Sequence, residues 1–275
     1  MKNILLFALL LFHFTVFSQT AIEILTGLQA TYRELINYTD RGTYTTFTQS
    51  QSPDENLQGN TSSVYKTYEY HVAIDSNENV FHWIISVDAQ SPIGWEYKIS
   101  ADQQEGSYKR LFGNYKSEPR SIDMACASLY GVGGGILDMA AGLMFPYLYD
   151  SVNAYMAPMF KYDSIKYVQD TTLNGDACQV LEFFDSYYQT AEMIRYHEHR
   201  RDSILNQHIT PPGFAPPHEQ PGLVKLKERL FIRIADGLIV RMDRFSFRKD
   251  EYVLHSSVMM NPVVNVEDFE KYLEY

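Results

Sequence analysis

The sequence predicts an α+β domain built on an antiparallel sheet, and three observations support this fold class. An apolar face at three- and four-residue steps runs through residues 22–36, and later segments carry apolar residues at every second position. The connectors between these segments are short and resemble hairpins, without the spacing of a βαβ unit. We therefore expect sequential strands to pair antiparallel, with helices on one face of the sheet.

Residues 1–18 have the pattern of a secretory signal peptide. Lys2 is followed by the uncharged apolar run Ile4–Phe17, and Ser18 supplies a small residue for cleavage. The run is shorter than the about 20 residues that a helix needs to cross a bilayer. An uncleaved N-terminal anchor is the alternative. We expect cleavage between Ser18 and Gln19, and a protein that works in the periplasm or as a secreted protein.

The charge balance argues against nucleic acid as a partner. The chain has 23 Lys and Arg against 34 Asp and Glu, a formal net charge of −11. Such a chain repels DNA, RNA and anionic lipid surfaces, and its basic residues are scattered along the sequence. After the signal peptide no further apolar stretch is long enough to span a membrane, and residues 19–275 suit one domain with a substantial core.

The first half of the chain is predicted to be one helix and several strands. The helix covers Ile22–Ile36 and ends at Asp40-Arg41-Gly42, and the polar residues 49–63 form a loop. Strands are predicted at 64–75, 80–88, about 95–99 and, more weakly, 108–115.

The second half is predicted to begin with short helices and to return to strands. Residues 122–160 are poor in charge and are interrupted at Gly131–Gly135 and Pro146. Strands are predicted at about 162–168, 177–184, 226–235, 238–247 and 251–259, with Asp236-Gly237 as a hairpin turn and a terminal helix at 266–273. The His- and Pro-rich residues 191–222 resemble an insertion, because proline removes a donor from the sheet ladder.

The two cysteines, Cys126 and Cys178, predict one disulfide in an oxidising compartment. Two separate buried thiols are the alternative. Their spacing excludes a CxxC redox site and a Cys-rich zinc site.

Motifs for other chemistry are incomplete. The glycines of Gly131–Gly135 are not followed by Lys-Ser/Thr, so a flexible joint between helices is favoured over a phosphate loop. His197 and His199 do not share a face on a helix, and with His208 and His218 they indicate a solvated segment rather than a metal site.

Catalytic signals are also few. The sequence has no G-x-S-x-G, and Asp138 in the apolar centre is either a helix cap or a buried acid. We expect neither a catalytic activity nor a cofactor.

The order of elements and three short motifs resemble the LolA-like superfamily of periplasmic lipoprotein carriers and their exported relatives. The motifs are the Asn174–Leu181 segment, the paired strands Leu230–Arg241 around Asp236, and Asn265-Val266 before the terminal helix. The resemblance spans most of residues 19–275, but residues 191–222 have no counterpart in it.

The resemblance implies a curved antiparallel sheet, a half-open β-barrel, whose concave face is covered by helices and holds acyl chains. It implies one domain over 19–275 that binds a hydrophobic ligand, a lipid or a lipidated protein. A non-catalytic interaction or structural module of the envelope is the alternative, and a hydrolase is a second one. The apolar residues expected to line the ligand site are Phe81, Trp83, Ile85, Trp95, Leu137, Leu143, Met144 and Phe145.

Overall fold

The computed structural model describes residues 20–49, 62–77, 80–86, 92–100, 105–111, 114, 116, 118, 120–121, 143–144, 165–192, 195, 222–248 and 250–272. The elements in chain order are α1 (Ala21–Arg33), β1 (Asn37–Gln49), β2 (Ser62–Asp75), β3 (Val80–Ser86), β4 (Pro92–Ser100), β5 (Glu105–Arg110), β6 (Arg120–Ser121), β7 (Ile165–Leu173), β8 (Asp176–Gln189), β9 (Gly222–Arg233), β10 (Ile239–Arg248), β11 (Glu251–Met259), β12 (Pro262–Val264) and a 3-10 helix (Phe269–Tyr272).

All of these strands join one antiparallel sheet. Across the described residues the sheet has 12 strands in the order β6-β5-β4-β3-β2-β1-β11-β10-β9-β8-β7, with β12 paired to β1. The sheet is open and curved, which confirms the predicted antiparallel architecture. Helix α1 lies on one face, called here the inner face, and the opposite face is the outer face. Coverage of the inner face by further helices stays a prediction.

Helix α1 begins at a capping box. The Thr20 side chain accepts a hydrogen bond from the Glu23 amide, and the Glu23 carboxylate accepts one from the Thr20 amide. Ile24, Leu25, Leu28 and Tyr32 form its buried face. The predicted end of the helix was too late, because α1 ends at Arg33 and residues 40–42 lie inside β1.

Strand β1 was missed in the sequence. Its residues alternate between the two faces, so Tyr38, Asp40 and Tyr44 point inward and are buried. Glycine is required at position 42 of this row because it has no Cβ. A Cβ there would meet the main-chain oxygen of Met259 and would lie 2.6 Å from the Tyr70 hydroxyl. An acid and a glycine in a strand interior hide its alternation from a sequence pattern.

The main core lies between α1 and the inner face. Its largest fully buried side chains are Tyr32, Tyr38, Leu25, Ile74, Leu181 and Ile239. They come from five elements, with Leu25 and Tyr32 both on α1, and burying an apolar side chain of this size contributes about 1.5–3 kcal/mol. The core therefore links the central strands β1 and β2 to β10 and β8 through α1.

The later strands agree with prediction, with shifted ends. β8 runs to Gln189 and β9 starts at Gly222, which leaves residues 193–194 and 196–221 of the predicted insertion outside the described residues. The predicted turn at Asp236-Gly237 is confirmed, with Gly237 at a φ of 70° that favours glycine. The terminal helix is a 3-10 helix rather than the longer helix predicted for 266–273.

Candidate functional site

Four of the residues predicted to line a ligand site occupy one row of β3 and β4. Trp83 pairs with Val72 of β2 on one side and with Trp95 of β4 on the other. Phe81 pairs with Ile74, and Ile85 with Tyr70 of β2. Directly paired residues share a face of a sheet. These four positions therefore belong to the inner face. Together with their β2 partners Tyr70, Val72 and Ile74, we call them the β2–β4 inner row.

The β2 side of this row is part of the core. Tyr70, Val72 and Ile74 are buried, and all three belong to the cluster that includes the apolar residues of α1. The row thus extends the packed core toward β4, and it continues one strand further because Tyr97 of β4 pairs with Tyr108 of β5.

The charge-poor centre of the chain contributes to the same core. Leu143 and Met144 are helical, and both are buried members of the core cluster. Two further predicted ligand residues, Leu137 and Phe145, lie outside the described residues, as do Gly131–Gly135 and Asp138. The structure places Leu143 and Met144 in the same core cluster as Tyr70, Val72 and Ile74 of β2.

Helix α1 is anchored over the other half of the sheet. The Tyr32 hydroxyl accepts a hydrogen bond of 3.1 Å from the Ile239 amide of β10, and its ring lies 5.9 Å from that of Tyr38. Thr31 lies against Gly237 in the turn before β10. α1 therefore fills the inner face near β1 and the start of β10 with its own side chains.

A buried carboxylate lies on the inner face between these two halves. Asp40 is 3% exposed and accepts hydrogen bonds from the Tyr70 hydroxyl at 2.5 Å and from the Asn261 amide at 2.6 Å. Burial raises the pKa of Asp40 to about 6, although these hydrogen bonds oppose the shift. Burial also raises the pKa of Tyr38 and Tyr70 well above the usual tyrosine range.

The sequence did not identify this acid. It was assigned to the end of the helix, and the signal that marks it is its even spacing with Tyr38 and Tyr44. Asp40 connects β1, β2 and the segment between β11 and β12 through its two acceptor oxygens. The geometry gives it a structural role.

Two buried histidines lie on the outer face. His71 Nε2 and Thr39 Oγ1 are joined by a hydrogen bond of 3.0 Å, and the Tyr272 ring lies 6.5 Å from the His71 ring. His82 Nε2 lies 2.9 Å from the Glu96 carboxylate. Burial lowers the pKa of His71 to about 4, so the ring is neutral at physiological pH.

Neither metal binding nor the predicted disulfide gains support from the described residues. They contain no group of three or more His, Cys, Asp or Glu that could hold a metal ion, while His197, His199, His208 and His218 lie outside them. Cys178 has a free, buried thiol, and burial raises its pKa. Cys126 lies outside the described residues, so the disulfide stays a prediction.

A separate cleft of about 670 Å³ opens near the start of β1. Its walls include the acidic residues Asp75, Glu267, Asp268 and Glu270 beside the apolar Ile36, Val266 and Phe269, so the lining is acidic but as much apolar as polar. Asn37 holds one wall by exchanging side-chain hydrogen bonds with the main chain of Val266. This cleft does not coincide with the predicted ligand residues.

Among the described residues no helix has the length and apolar character needed to cross a membrane.

Comparisons with known proteins leave the family of this chain open. No family model and no curated protein matches it. The structure is similar to that of LprF from Mycobacterium bovis, with 11% identity, a TM-score of 0.34, and coverage of 88% of this chain and 91% of that chain. For the lipoprotein LppX from Mycobacterium tuberculosis the identity is 9%, the TM-score 0.35 and the coverage 89% and 94%. For a DUF1329 family protein from Desulfovibrio piger the identity is 9% and the TM-score 0.25, with coverage of 93% of this chain and 96% of that chain.

With TM-scores no higher than 0.35, these similarities do not assign the chain to a family. The LolA-like resemblance stays a prediction that rests on the motifs quoted above.

Proposed function

We propose that this chain is an exported, non-catalytic protein that binds a hydrophobic ligand, a lipid or the lipid anchor of a protein against the β2–β4 inner row. The observation that carries the proposal is the strand register. It sets Trp83 directly beside Trp95 and places both in the row that begins at the buried Val72.

The energetic basis is burial of acyl chain on aromatic and aliphatic surface. Each buried methylene contributes about 0.8 kcal/mol, so ten of them supply about 8 kcal/mol before the cost of association. Such a site needs no ionisable group to hold its ligand. The signal peptide at residues 1–18 supports a role in the periplasm or outside the cell.

The two tryptophans provide a direct test. The chain contains 2 Trp, and Trp83 and Trp95 are cross-strand partners, so intrinsic tryptophan emission reports on this row alone. Titration with a fatty acid that carries a bromine or spin label is expected to quench this emission in a saturable manner. Native mass spectrometry of the gently purified protein is expected to show a lipid adduct.

Single Trp83→Phe and Trp95→Phe variants are the matched controls, and each is expected to retain saturable quenching of the remaining tryptophan. A clean apo mass together with no saturable quenching contradicts the proposal.

That contrary result favours the second candidate, a non-catalytic interaction or structural module of the envelope. One observation supports it: near α1 the inner face is already filled by Leu25, Tyr32, Ile74 and Leu181, each less than 2% exposed. If the β2–β4 inner row is filled in the same way, no space is left for a guest.

A hydrolase is less well supported. Thr39 and His71 form the hydroxyl–imidazole contact that such an enzyme needs. Both residues are buried, at 3% and 8% exposure, and Tyr272 lies against the imidazole. A substrate therefore has no open approach to the hydroxyl.

A further inference from the structure

Four cations that are scattered in the sequence share one region of the outer face. Lys225, Lys227 and Arg229 alternate along β9, and Lys166 lies on β7. Leu230, next to Arg229, belongs to the core, so the alternate positions of β9 point outward. Lys166 pairs with Glu182 of β8, which in turn pairs with Arg229.

Aromatic rings lie between these cations. Phe184 of β8 and Phe245 of β10 are the two register partners of Lys227. The Lys227 ammonium lies 4.2 Å from the centroid of the Phe245 ring and 5.2 Å from that of Tyr252. The Arg229 guanidinium lies 5.3 Å from the Phe245 ring. These are cation–π distances.

The pattern continues on both sides. The Lys225 ammonium lies 4.5 Å from the Phe247 ring, and the Lys166 ammonium lies 5.0 Å from the Phe184 ring. The Tyr252 ring connects the two sides, at 5.0 Å from Phe247 and 5.9 Å from Phe184. We call this group, formed by Lys166, Lys225, Lys227, Arg229 and their four ring partners, the cation–aromatic face. Lys166 is exposed and the others are half-buried, with the Lys227 side chain 14% exposed.

The cation–aromatic face has the opposite charge to the protein as a whole. Among the described residues, the carboxylate that lies between these cations is Glu182, which is bound by Arg229 and by Lys227 at 3.3 Å, and the neighbouring Asp243 is paired with Arg241. The four cations therefore exceed the acid of this face, whereas the chain carries a net charge of −11. Sequence composition alone argued against anionic lipid surfaces, but the fold separates the charges.

We propose that the cation–aromatic face docks onto a lipid bilayer that carries anionic phospholipid. Lysine and arginine combined with phenylalanine and tyrosine is the composition of surfaces that lie in the membrane interface. The ring faces in contact with cations are not available to stack on bases, which disfavours single-stranded nucleic acid. The docking surface is on the opposite side of the sheet from the β2–β4 inner row and does not depend on it.

The test is co-sedimentation of the full mature chain with vesicles of phosphatidylcholine alone or mixed with phosphatidylglycerol. Binding is expected only with the anionic vesicles, and it should weaken with salt because exposed charges are screened. The double variant Lys166→Glu, Lys225→Glu is expected to lower the partition coefficient about tenfold or more. These two lysines are chosen because Lys227 and Arg229 also hold Glu182.

The matched control is the double variant Lys98→Glu, Lys116→Glu. Both lysines are exposed and lie outside the cation–aromatic face, and the pair changes the net charge by the same amount. This control is expected to keep vesicle binding, with unchanged thermal unfolding in all three proteins. Phe247→Ala keeps every charge and is expected to weaken binding through the aromatic part alone.

Absence of binding to anionic vesicles by the unmodified chain overturns the proposal. Equal loss in the two double variants also overturns it, since net charge and not this face then controls binding. If the Lys166→Glu, Lys225→Glu variant unfolds, Phe247→Ala provides the test. Unchanged binding of Phe247→Ala to anionic vesicles then overturns the proposal.

Discussion

Replacement of Gly42 with alanine is expected to destabilise the fold by about 3 kcal/mol or more, at the upper end of overpacking effects. Gly42 lies in the interior of β1, opposite Tyr70 of β2. A Cβ there meets the main-chain oxygen of Met259 and lies 2.6 Å from the Tyr70 hydroxyl. Because one obstacle is backbone, it cannot be relieved by a new side-chain rotamer.

The clash lies where β1 pairs with both β2 and β11. Relieving it requires β1 to move away from the end of β11, and Thr43 next to Gly42 is the register partner of Met259. The same movement displaces the Tyr70 hydroxyl, which donates to Asp40. We therefore expect lost hydrogen bonds in addition to the steric cost.

Urea unfolding followed by circular dichroism measures this effect, and Gly27→Ala is its matched control. Gly27 is exposed on α1 with no atom within 4 Å of a Cβ, so alanine is expected to stabilise the helix by about 0.5–1 kcal/mol. A Gly42→Ala protein as stable as the unmodified chain would show that β1 leaves room for a Cβ beside the Met259 main-chain oxygen.

The same region shows what the sequence predicts and what it does not. Strand β2 was found because Tyr68, Tyr70, Val72 and Ile74 alternate with polar residues, and all four are buried as expected. Strand β1 was missed because Asp40 interrupts the apolar side of its pattern. One of the two donors that bind this acid is the Asn261 amide, 221 residues further along the chain.

The candidate site also has one part that the sequence predicts and another that only the strand register determines. Alternation alone indicated that Phe81, Trp83 and Ile85 share a side of β3, but the pairing of Trp83 with Trp95 is a property of register. Lys225 and Lys227 alternate visibly in the sequence. Their contacts with Phe245 and Phe247 depend on how β9 pairs with β10, and no local pattern contains that information.

Asp40→Asn is expected to stabilise the protein by up to about 3 kcal/mol above pH 6. Burial raises the pKa of Asp40 from 3.8 to about 6, and each unit of such a shift corresponds to about 1.4 kcal/mol. A raised pKa in the folded state favours the protonated carboxyl. Its contribution to stability is therefore fully present below about pH 4 and is lost as the pH rises through about 6. An amide is neutral throughout, so it avoids this loss.

The hydrogen bonds of Asp40 can be retained by the amide. Its oxygen accepts from the Asn261 amide, and its NH₂ group donates to the Tyr70 hydroxyl. Tyr70 then donates to the Met259 oxygen, which lies 3.3 Å away in the unmodified protein. Asp40→Leu lacks both acceptors, leaves the Asn261 amide donor unsatisfied, and is expected to cost about 1–3 kcal/mol at any pH.

Free energies of unfolding for the unmodified chain and Asp40→Asn, measured at several pH values from about 4 to about 8, test the prediction. The difference between the two proteins should grow through this range and level off above pH 6. Asp268→Asn, an exposed site, controls for the loss of one negative charge from an acidic protein. A difference that does not change with pH shows that the carboxylate is equally well accommodated in the folded and unfolded chains. The hydrogen bonds from Tyr70 and Asn261 then fully offset its burial, and the charge neither stabilises nor destabilises the contact of β1 with β11.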